Sequence, residues 1–198
     1  MDPFRVLHVC TGNICRSPMA ERLMRSGLEN RLGHEAGRFD VASAGTWGHS
    51  GAPMQEHALT VLADFGVDGR DFRARELVAD HVEQADLVLT ATREHRARCV
   101  TLHPRAAGRT FTLREFARLT AAVDPEQLPV GDVVERARAL VRAAAGNRGV
   151  VPAGAPEDDD LADPYRLPLQ AFDDCAELVA ASLRPPLDLL AGRTAPLG

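Results

Sequence analysis

The chain has 198 residues, of which 45% are hydrophobic, and a formal net charge of −5 at pH 7. This length and composition predict one globular domain that can bury a core without disulfides or metals. The negative charge argues against a general nucleic-acid binder, and all 23 basic residues are arginine. The absence of lysine excludes Schiff-base catalysis and a Walker-type phosphate lysine.

The four cysteines, Cys10, Cys15, Cys99 and Cys175, form neither a C-x-x-C pair nor a zinc-binding pattern. No signal peptide is recognised at the N-terminus, and no apolar run approaches the length of a membrane span. We therefore expect free thiols, no metal site, no membrane association and a reducing cytoplasm.

The first predicted element is a buried strand, Phe4 to Val9, formed by a short apolar run. A helix follows, with Ser17 as its predicted cap and Pro18 in its first turn. Residues 39–42 predict a second strand, which leads into Ser43-Ala44-Gly45-Thr46.

The rest of the chain continues to alternate strands with helices, which favours an α/β fold with a parallel sheet and helices on both faces. A ligand is then expected at the carboxyl ends of the strands, where Cys10 falls. The predicted strands cover 86–91 and 109–112. The predicted helices cover 53–65, 93 onward, 113–122, 130–145 and 168–190. A break in the last helix is considered at Pro185-Pro186.

A Gly- and Pro-rich segment, 146–160, is predicted to be a loop. It ends in the acidic run Glu157-Asp158-Asp159-Asp160. Such runs are typical of a solvated surface, and we interpret this one in that way.

The chemistry of the sequence centres on Cys10 and Arg16, which form a C-x5-R pattern between the first strand and the first helix. A loop in this position directs backbone N–H groups and the positive end of the helix dipole at one spot, which favours a phosphate or sulfate anion. Gly12 and Asn13 tolerate the backbone conformations that such a loop needs, and Arg16 matches two phosphate oxygens.

A thiol inside this loop would be stabilised as the thiolate and aimed at the phosphorus of a bound phosphate. Ser17 is placed to donate its hydroxyl proton to the same sulfur. The alternative is a buried structural cysteine on a tight strand–helix turn.

The stretch CTGNICRSPMAE, from Cys10 to Glu21, resembles the C-x-G-N-x-C-R-S-P-x-A-E signature of low-molecular-weight protein tyrosine phosphatases. The resemblance implies a four-stranded parallel sheet flanked by helices and metal-free hydrolysis through a phosphocysteine. It assigns Cys10 as nucleophile and Arg16 as phosphoryl clamp. The substrate-binding residues that it implies are Thr11, Gly12, Asn13, Ile14, Cys15, Ser17, Trp47 and Tyr165.

The same resemblance points to the general acid, because the family places this carboxyl in a D-P-Y segment before the last helix. Of three Asp-Pro pairs, only Asp163-Pro164-Tyr165 fits, while Asp2 lies at a terminus and Asp124 precedes an additional helix. An acid of this kind protonates the leaving group and then activates water.

Three departures from the family pattern stand out. The S-A-G-T segment at Ser43 is kept, and its serine braces the loop asparagine in the family, but Phe72 stands where many members have a histidine of an H-R-A-R segment that also helps to brace the loop. Arg166 replaces a second tyrosine after Tyr165. An apparent insertion occupies about 122–160. We predict a single domain over 1–191, with a frayed tail at 192–198.

Two other functions remain open on the sequence. Arsenate reduction on the same fold is one, although it usually needs further relay thiols; a weakly active phosphate-binding regulatory module is the other. The expected substrate of the leading hypothesis is protein phosphotyrosine or an aryl phosphate. The family resemblance also implies a reversible Cys10–Cys15 disulfide, which the sequence leaves undecided.

Overall fold

A four-stranded parallel sheet forms the centre of the molecule, in a computed structural model that describes residues 2–192. The strand order is β2-β1-β3-β4, so β1 lies between two neighbours. The strands are β1 (Phe4–Cys10), β2 (Phe39–Gly45), β3 (Leu87–Thr90) and β4 (Thr110–Thr112). The α/β fold is thus confirmed, and apart from Gly192 the predicted tail lies outside the described residues.

Seven helices in the described part of the chain cover the two faces of this sheet. They are α1 (Arg16–Leu32), α2 (Glu56–Asp64), α3 (Ala79–Gln84), α4 (Arg93–Leu102), α5 (Leu113–Ala121), α6 (Val133–Asn147) and α7 (Leu169–Leu190). Within residues 2–192, no helix combines the length and the apolar character needed to cross a bilayer.

The alternation of side chains along β1 separates two apolar clusters. Val6 and Cys10 belong to a large cluster with α1, α2, α5, α6 and α7, whereas Leu7 and Val9 join a smaller one with α3 and α4. Because helices pack on both faces of the sheet, its carboxyl edge is left as the place for a site.

Several predicted boundaries differ from the structure. The helix expected from Pro53 begins at Glu56, and the short helix α3 was not predicted. The break considered at Pro185-Pro186 is wrong, because α7 continues through both prolines. Pro186 and the following Leu187 are buried, and this packing offsets the backbone hydrogen bonds that the prolines cannot donate.

The segment predicted as an insertion is packed against the rest of the molecule. Helix α6 buries an apolar stripe against α5 and α7. Just after its end, Arg148 donates from Nε to the buried Glu115 carboxylate at 2.9 Å and stacks 4.0 Å from the Phe111 ring centroid. The limits of the insertion at 122–160 stay a prediction.

Candidate active site

The loop between β1 and α1 occupies the carboxyl edge of the sheet at its central strand. Asn13 within it adopts a left-handed backbone with φ 54°. The end of β2 runs against the loop, because Thr46 N donates to Cys10 O at 2.9 Å and Trp47 N to Thr11 O at 3.0 Å. A Cβ on Gly45 would lie 2.6 Å from Thr11 O, so only glycine fits there.

Ser17 does not cap α1, and that prediction is wrong. The helix begins at Arg16, which places Ser17 inside its first turn. The Ser17 hydroxyl oxygen instead lies 2.9 Å from Cys10 Sγ and accepts a 2.9 Å hydrogen bond from Asn13 Nδ2. With Asn13 filling an acceptor position, the hydroxyl can donate to the Cys10 sulfur, which is nearer than its other acceptor, Ala44 O at 3.5 Å.

A buried polar chain holds Asn13 from the opposite side. Asn13 Nδ2 also donates to Ser43 Oγ at 2.8 Å, and Ser43 donates to Glu21 Oε2 at 2.7 Å. Asn13 Oδ1 accepts from the Arg75 backbone N at 2.9 Å. Phe72 is buried, and its ring centroid lies 6.0 Å from Arg22 Cζ. Because a phenylalanine side chain has no polar atom, the polar groups of this brace come from serine, glutamate and the main chain.

The Arg16 guanidinium is buried at the end of the loop, with its residue only 4% exposed. It donates to Leu161 O at 3.2 Å, to Thr11 Oγ1 at 3.2 Å and to Asp163 Oδ2 at 2.5 Å. Arg16 Nε is one of two buried side-chain nitrogens in the described residues that have no hydrogen-bond partner. A buried donor without a partner costs free energy, so the Arg16 guanidinium keeps hydrogen-bonding capacity that its protein partners do not use.

Asp163 lies opposite the loop, with its side chain 46% exposed. Its Oδ1 atom accepts from the Tyr165 backbone N at 3.1 Å, which fixes a turn at Asp163-Pro164. Asp124 instead accepts from the Glu126 backbone N and caps a short 3₁₀ turn. Of these two aspartates, Asp163 alone lines the cavity above Cys10.

The cavity has a volume of about 180 Å³ and brings together most of the residues expected at the site. Its lining comprises Cys10, Thr11, Gly12, Ile14, Cys15, Arg16, Trp47, His49, Asp163 and Tyr165. Asn13 and Ser17 are not in this lining, and both residues are buried. Trp47 is 70% exposed and forms an edge contact with His49, so the rim is aromatic.

His95 is a residue of this site that the sequence reasoning missed. Its Nε2 lies 2.9 Å from Thr11 Oγ1, and its Nδ1 lies 2.7 Å from Thr92 Oγ1. Burial lowers the pKa of His95 to about 4, with the nearby Arg16 charge acting in the same direction. A neutral imidazole therefore supports the loop threonine, whose hydroxyl also accepts from Arg16.

Two further thiols, Cys15 and Cys175, are buried near Cys10. Burial, followed by the neighbouring Cys10, raises the pKa of Cys15 to about 12. Burial also raises the pKa of Cys175 to about 12. Cys15 and Cys175 are therefore neutral thiols at physiological pH. Within residues 2–192, no group of three or more His, Cys, Asp or Glu side chains is arranged to hold a metal ion.

The chain matches the family described as low molecular weight phosphotyrosine protein phosphatase over residues 5–144. This match includes the loop from Cys10 to Arg16 and ends before Asp163. The assignment of the acid therefore rests on the D-P-Y segment and on the geometry of the cavity.

Individual relatives agree with the family match. A low molecular weight protein-tyrosine-phosphatase from Streptomyces coelicolor is 34% identical over 180 residues, which cover 90% of this chain and 88% of the relative. A protein-arginine-phosphatase from Geobacillus stearothermophilus is 39% identical over 114 residues, covering 58% and 72%. The solved low molecular weight protein tyrosine phosphatase from T. tengcongensis has a TM-score of 0.65 at 29% identity, covering 91% and 95%.

Proposed function

The chain belongs to the low molecular weight phosphotyrosine protein phosphatase family, and on this premise we propose that it hydrolyses protein phosphotyrosine through a phosphocysteine at Cys10. Arg16 and the backbone N–H groups of the loop bind the phosphoryl oxygens. Asp163 acts as the general acid and base, and Ser17 supports the thiolate.

In the first step, the Cys10 thiolate attacks phosphorus and a sulfur–phosphorus bond forms. The bond from phosphorus to the phenolic oxygen breaks, and the leaving oxygen takes a proton from the Asp163 carboxylic acid. The Arg16 guanidinium holds the transferring group and offsets its charge.

In the second step, the Asp163 carboxylate accepts a proton from a water molecule that attacks the phosphorus. The sulfur–phosphorus bond breaks, and inorganic phosphate leaves. The departing sulfur is again a thiolate, which the Ser17 hydroxyl stabilises by a charge-assisted hydrogen bond. The Cys10 thiolate and the Asp163 carboxylic acid are thereby regenerated, and one water molecule has been consumed.

One observation carries the proposal: Cys10, the buried cation Arg16 and the carboxyl of Asp163 line one cavity on the carboxyl edge of the sheet. A nucleophile, a cation for the phosphoryl group and a proton donor are the three parts that metal-free phosphoryl transfer requires. The 2.9 Å Cys10–Ser17 contact adds support for a stabilised thiolate.

The rim favours a tyrosine substrate. Trp47 and Tyr165 present aromatic surfaces beside the cavity, which suits a flat phenyl ring. Phosphoarginine is the second candidate, since one relative is named a protein-arginine-phosphatase. A guanidinium group would use the same rim through cation–π contacts and Asp163.

The test is hydrolysis of matched phosphotyrosine and phosphoarginine peptides, with a chelator present, by wild type, Cys10→Ser and Asp163→Asn. We expect faster turnover of phosphotyrosine, no turnover by Cys10→Ser and a loss of roughly 10²-fold or more with Asp163→Asn. A preference for phosphoarginine would overturn the substrate class but not the mechanism. No turnover by folded, reduced wild type would overturn the phosphatase proposal.

Two alternatives make different predictions in the same assay. A regulatory module would bind phosphate without turnover, and Cys10→Ser would then change no rate. Arsenate reduction is not favoured, because the relatives that match are named phosphatases; it would require arsenate turnover with a thiol reductant. Action in a reducing cytoplasm is part of the leading proposal, since a thiolate nucleophile needs it.

A further inference from the structure

The acidic run Glu157-Asp158-Asp159-Asp160 lies three residues before Asp163, and its interpretation as a solvated surface holds for only part of it. Glu157 is exposed, but the Asp159 and Asp160 carboxylates turn toward the molecule. Both oxygens of Asp159 accept from Arg118 Nη2 on α5 at 3.1 Å. The end of the run is therefore an anchored segment.

Asp160 makes the contact that is closest to the site. Its Oδ1 atom accepts from the Arg93 backbone N at 2.7 Å. Arg93 is the first residue of α4, so this N–H has no partner within the helix. The negative carboxylate also meets the positive end of the helix dipole. The main-chain oxygen of Asp160 accepts from Arg114 Nη1 at 3.0 Å.

Leu161 follows Asp160 directly and contacts Arg16, at the end of the loop between β1 and α1. Its backbone N donates to Ala91 O at 2.8 Å, its side chain is buried, and its oxygen accepts from Arg16. Only Ala162 then separates this fixed residue from Asp163.

The first turn of α4 thus touches both halves of the site. Arg93 N holds Asp160 at the start of residues 160–163, the acid loop, while His95, two residues after Arg93, contacts Thr11 of residues 10–16, the phosphate loop, at 2.9 Å. Because one rigid element contacts both loops, it sets the distance between them.

We propose that Asp160 is a positioning residue for Asp163, acting through its hydrogen bond to the N-terminus of α4. The inference rests on the proposed role of Asp163 as general acid. When the Asp160 carboxylate is removed, the acid loop loses its tie to α4, and the Asp163 carboxyl no longer stays at the leaving-group oxygen. A displacement of about 1 Å is enough to reduce such a step about 10²-fold.

This role predicts an effect that depends on the leaving group. Phenyl phosphate needs a proton from the acid, because phenolate is a poor leaving group. Dinitrophenyl phosphate does not, because its phenolate is stable without a proton. A change that only damages the fold or the phosphate loop lowers kcat/KM for both substrates alike.

The experiment compares kcat/KM for phenyl phosphate and dinitrophenyl phosphate in wild type, Asp160→Ala, Asp160→Asn and Asp163→Asn. Glu157→Ala is the matched control, since it removes the same charge from an exposed position in the same run. Asp160→Asn tests rescue, because its amide oxygen can still accept from Arg93. The double variant Asp160→Ala/Asp163→Asn tests whether the two residues act in one step.

We expect Asp160→Ala to lose about tenfold on phenyl phosphate and less than about twofold on dinitrophenyl phosphate. Asp160→Asn should recover most of the loss, Glu157→Ala should match wild type, and the double variant should be no slower than Asp163→Asn. Equal losses on both substrates, an unaffected Asp160→Ala, an Asp160→Asn as slow as Asp160→Ala, or additive losses in the double variant would overturn the inference. If Asp163→Asn itself lacked leaving-group dependence, the proposed acid would fail instead.

Discussion

Arg16 Nη2 and Asp163 Oδ2 lie 2.5 Å apart, which pairs the proposed phosphate-binding cation directly with the proposed acid. Arg16 is buried and Asp163 is half-exposed, so Asp163 is the partner that can move. A phosphoryl group that takes the Arg16 Nη2 donor replaces the Asp163 carboxylate as acceptor. Phosphate and the ionised acid therefore compete for the same donor.

This competition predicts that Asp163→Asn binds inorganic phosphate more tightly than wild type, although it turns substrate over more slowly. Removing a negative charge beside the anion should lower the phosphate inhibition constant roughly threefold to tenfold. The measurement is competitive inhibition by phosphate with dinitrophenyl phosphate as substrate. Asp124→Asn, at the other internal Asp-Pro pair, is the control, and equal or weaker phosphate binding by Asp163→Asn would contradict the account.

The Cys10–Ser17 contact predicts a selective loss in Ser17→Ala. A hydrogen bond to a charged group contributes about 1.5–3 kcal/mol, so we expect kcat to fall about tenfold to 150-fold. Ser26→Ala, farther along the same helix, should match wild type. A Ser17→Ala enzyme with unchanged kcat would show that the hydroxyl does not support the sulfur.

Two substitutions at Asn13 separate its backbone from its side-chain bonds. Asn13→Ala and Asn13→Gly both remove the hydrogen bonds to Ser17, Ser43 and Arg75. Only Gly adopts φ 54° without penalty, so Asn13→Gly should be the more stable of the two by about 1 kcal/mol. Urea unfolding measures the difference; an alanine variant at least as stable as the glycine variant would contradict it.

Stability should depend on pH through two buried histidines. Burial lowers the pKa of His8 from 6.5 to about 3, and that of His95 to about 4. The unfolded chain then binds more protons than the folded chain below pH 6.5. Each histidine stabilises the fold fully above pH 6.5, and this contribution is lost as the pH falls.

Between about pH 6 and 4, the free energy of unfolding should therefore fall by up to about 1.4 kcal/mol per pH unit for each histidine. His8→Leu should reduce this slope by about the contribution of one proton, whereas the control Ser26→Ala, which removes no titratable group, should keep the wild-type slope. Urea unfolding across this pH range gives the slope. A His8→Leu slope equal to that of wild type would show that His8 is not held neutral.

The sequence predicts the fold and the phosphate loop because both depend on local patterns. Apolar runs alternating with helical segments indicate the parallel sheet, and residues 10–16 contain their own turn-forming Gly12 and Asn13. Local patterns do not identify His95, because it lies 84 residues from Thr11 along the chain. The two residues come together only through the pairing of distant strands. A histidine three residues after Thr92, in a segment that follows a predicted strand, was the available signal.

The errors have equally specific causes. Ser17 has the residue type and position of a helix cap, but its hydroxyl is used by Cys10 and Asn13. The prolines of α7 favour a break by local rules, and tertiary burial overrides them. The acidic composition of the run predicts that Asp159 and Asp160 face solvent. This prediction fails because Arg118 and the start of α4 lie beside them, which composition does not reveal.

The most direct test of the central claim is to trap the covalent intermediate. Asp163→Asn would be mixed rapidly with dinitrophenyl phosphate, quenched in alkaline denaturant and digested for mass spectrometry, with Cys10→Ser as control. The account predicts one added phosphoryl group on the peptide that contains Cys10, located on its sulfur. Turnover by wild type without any phosphorylated Cys10, or phosphate on another residue, would contradict the mechanism.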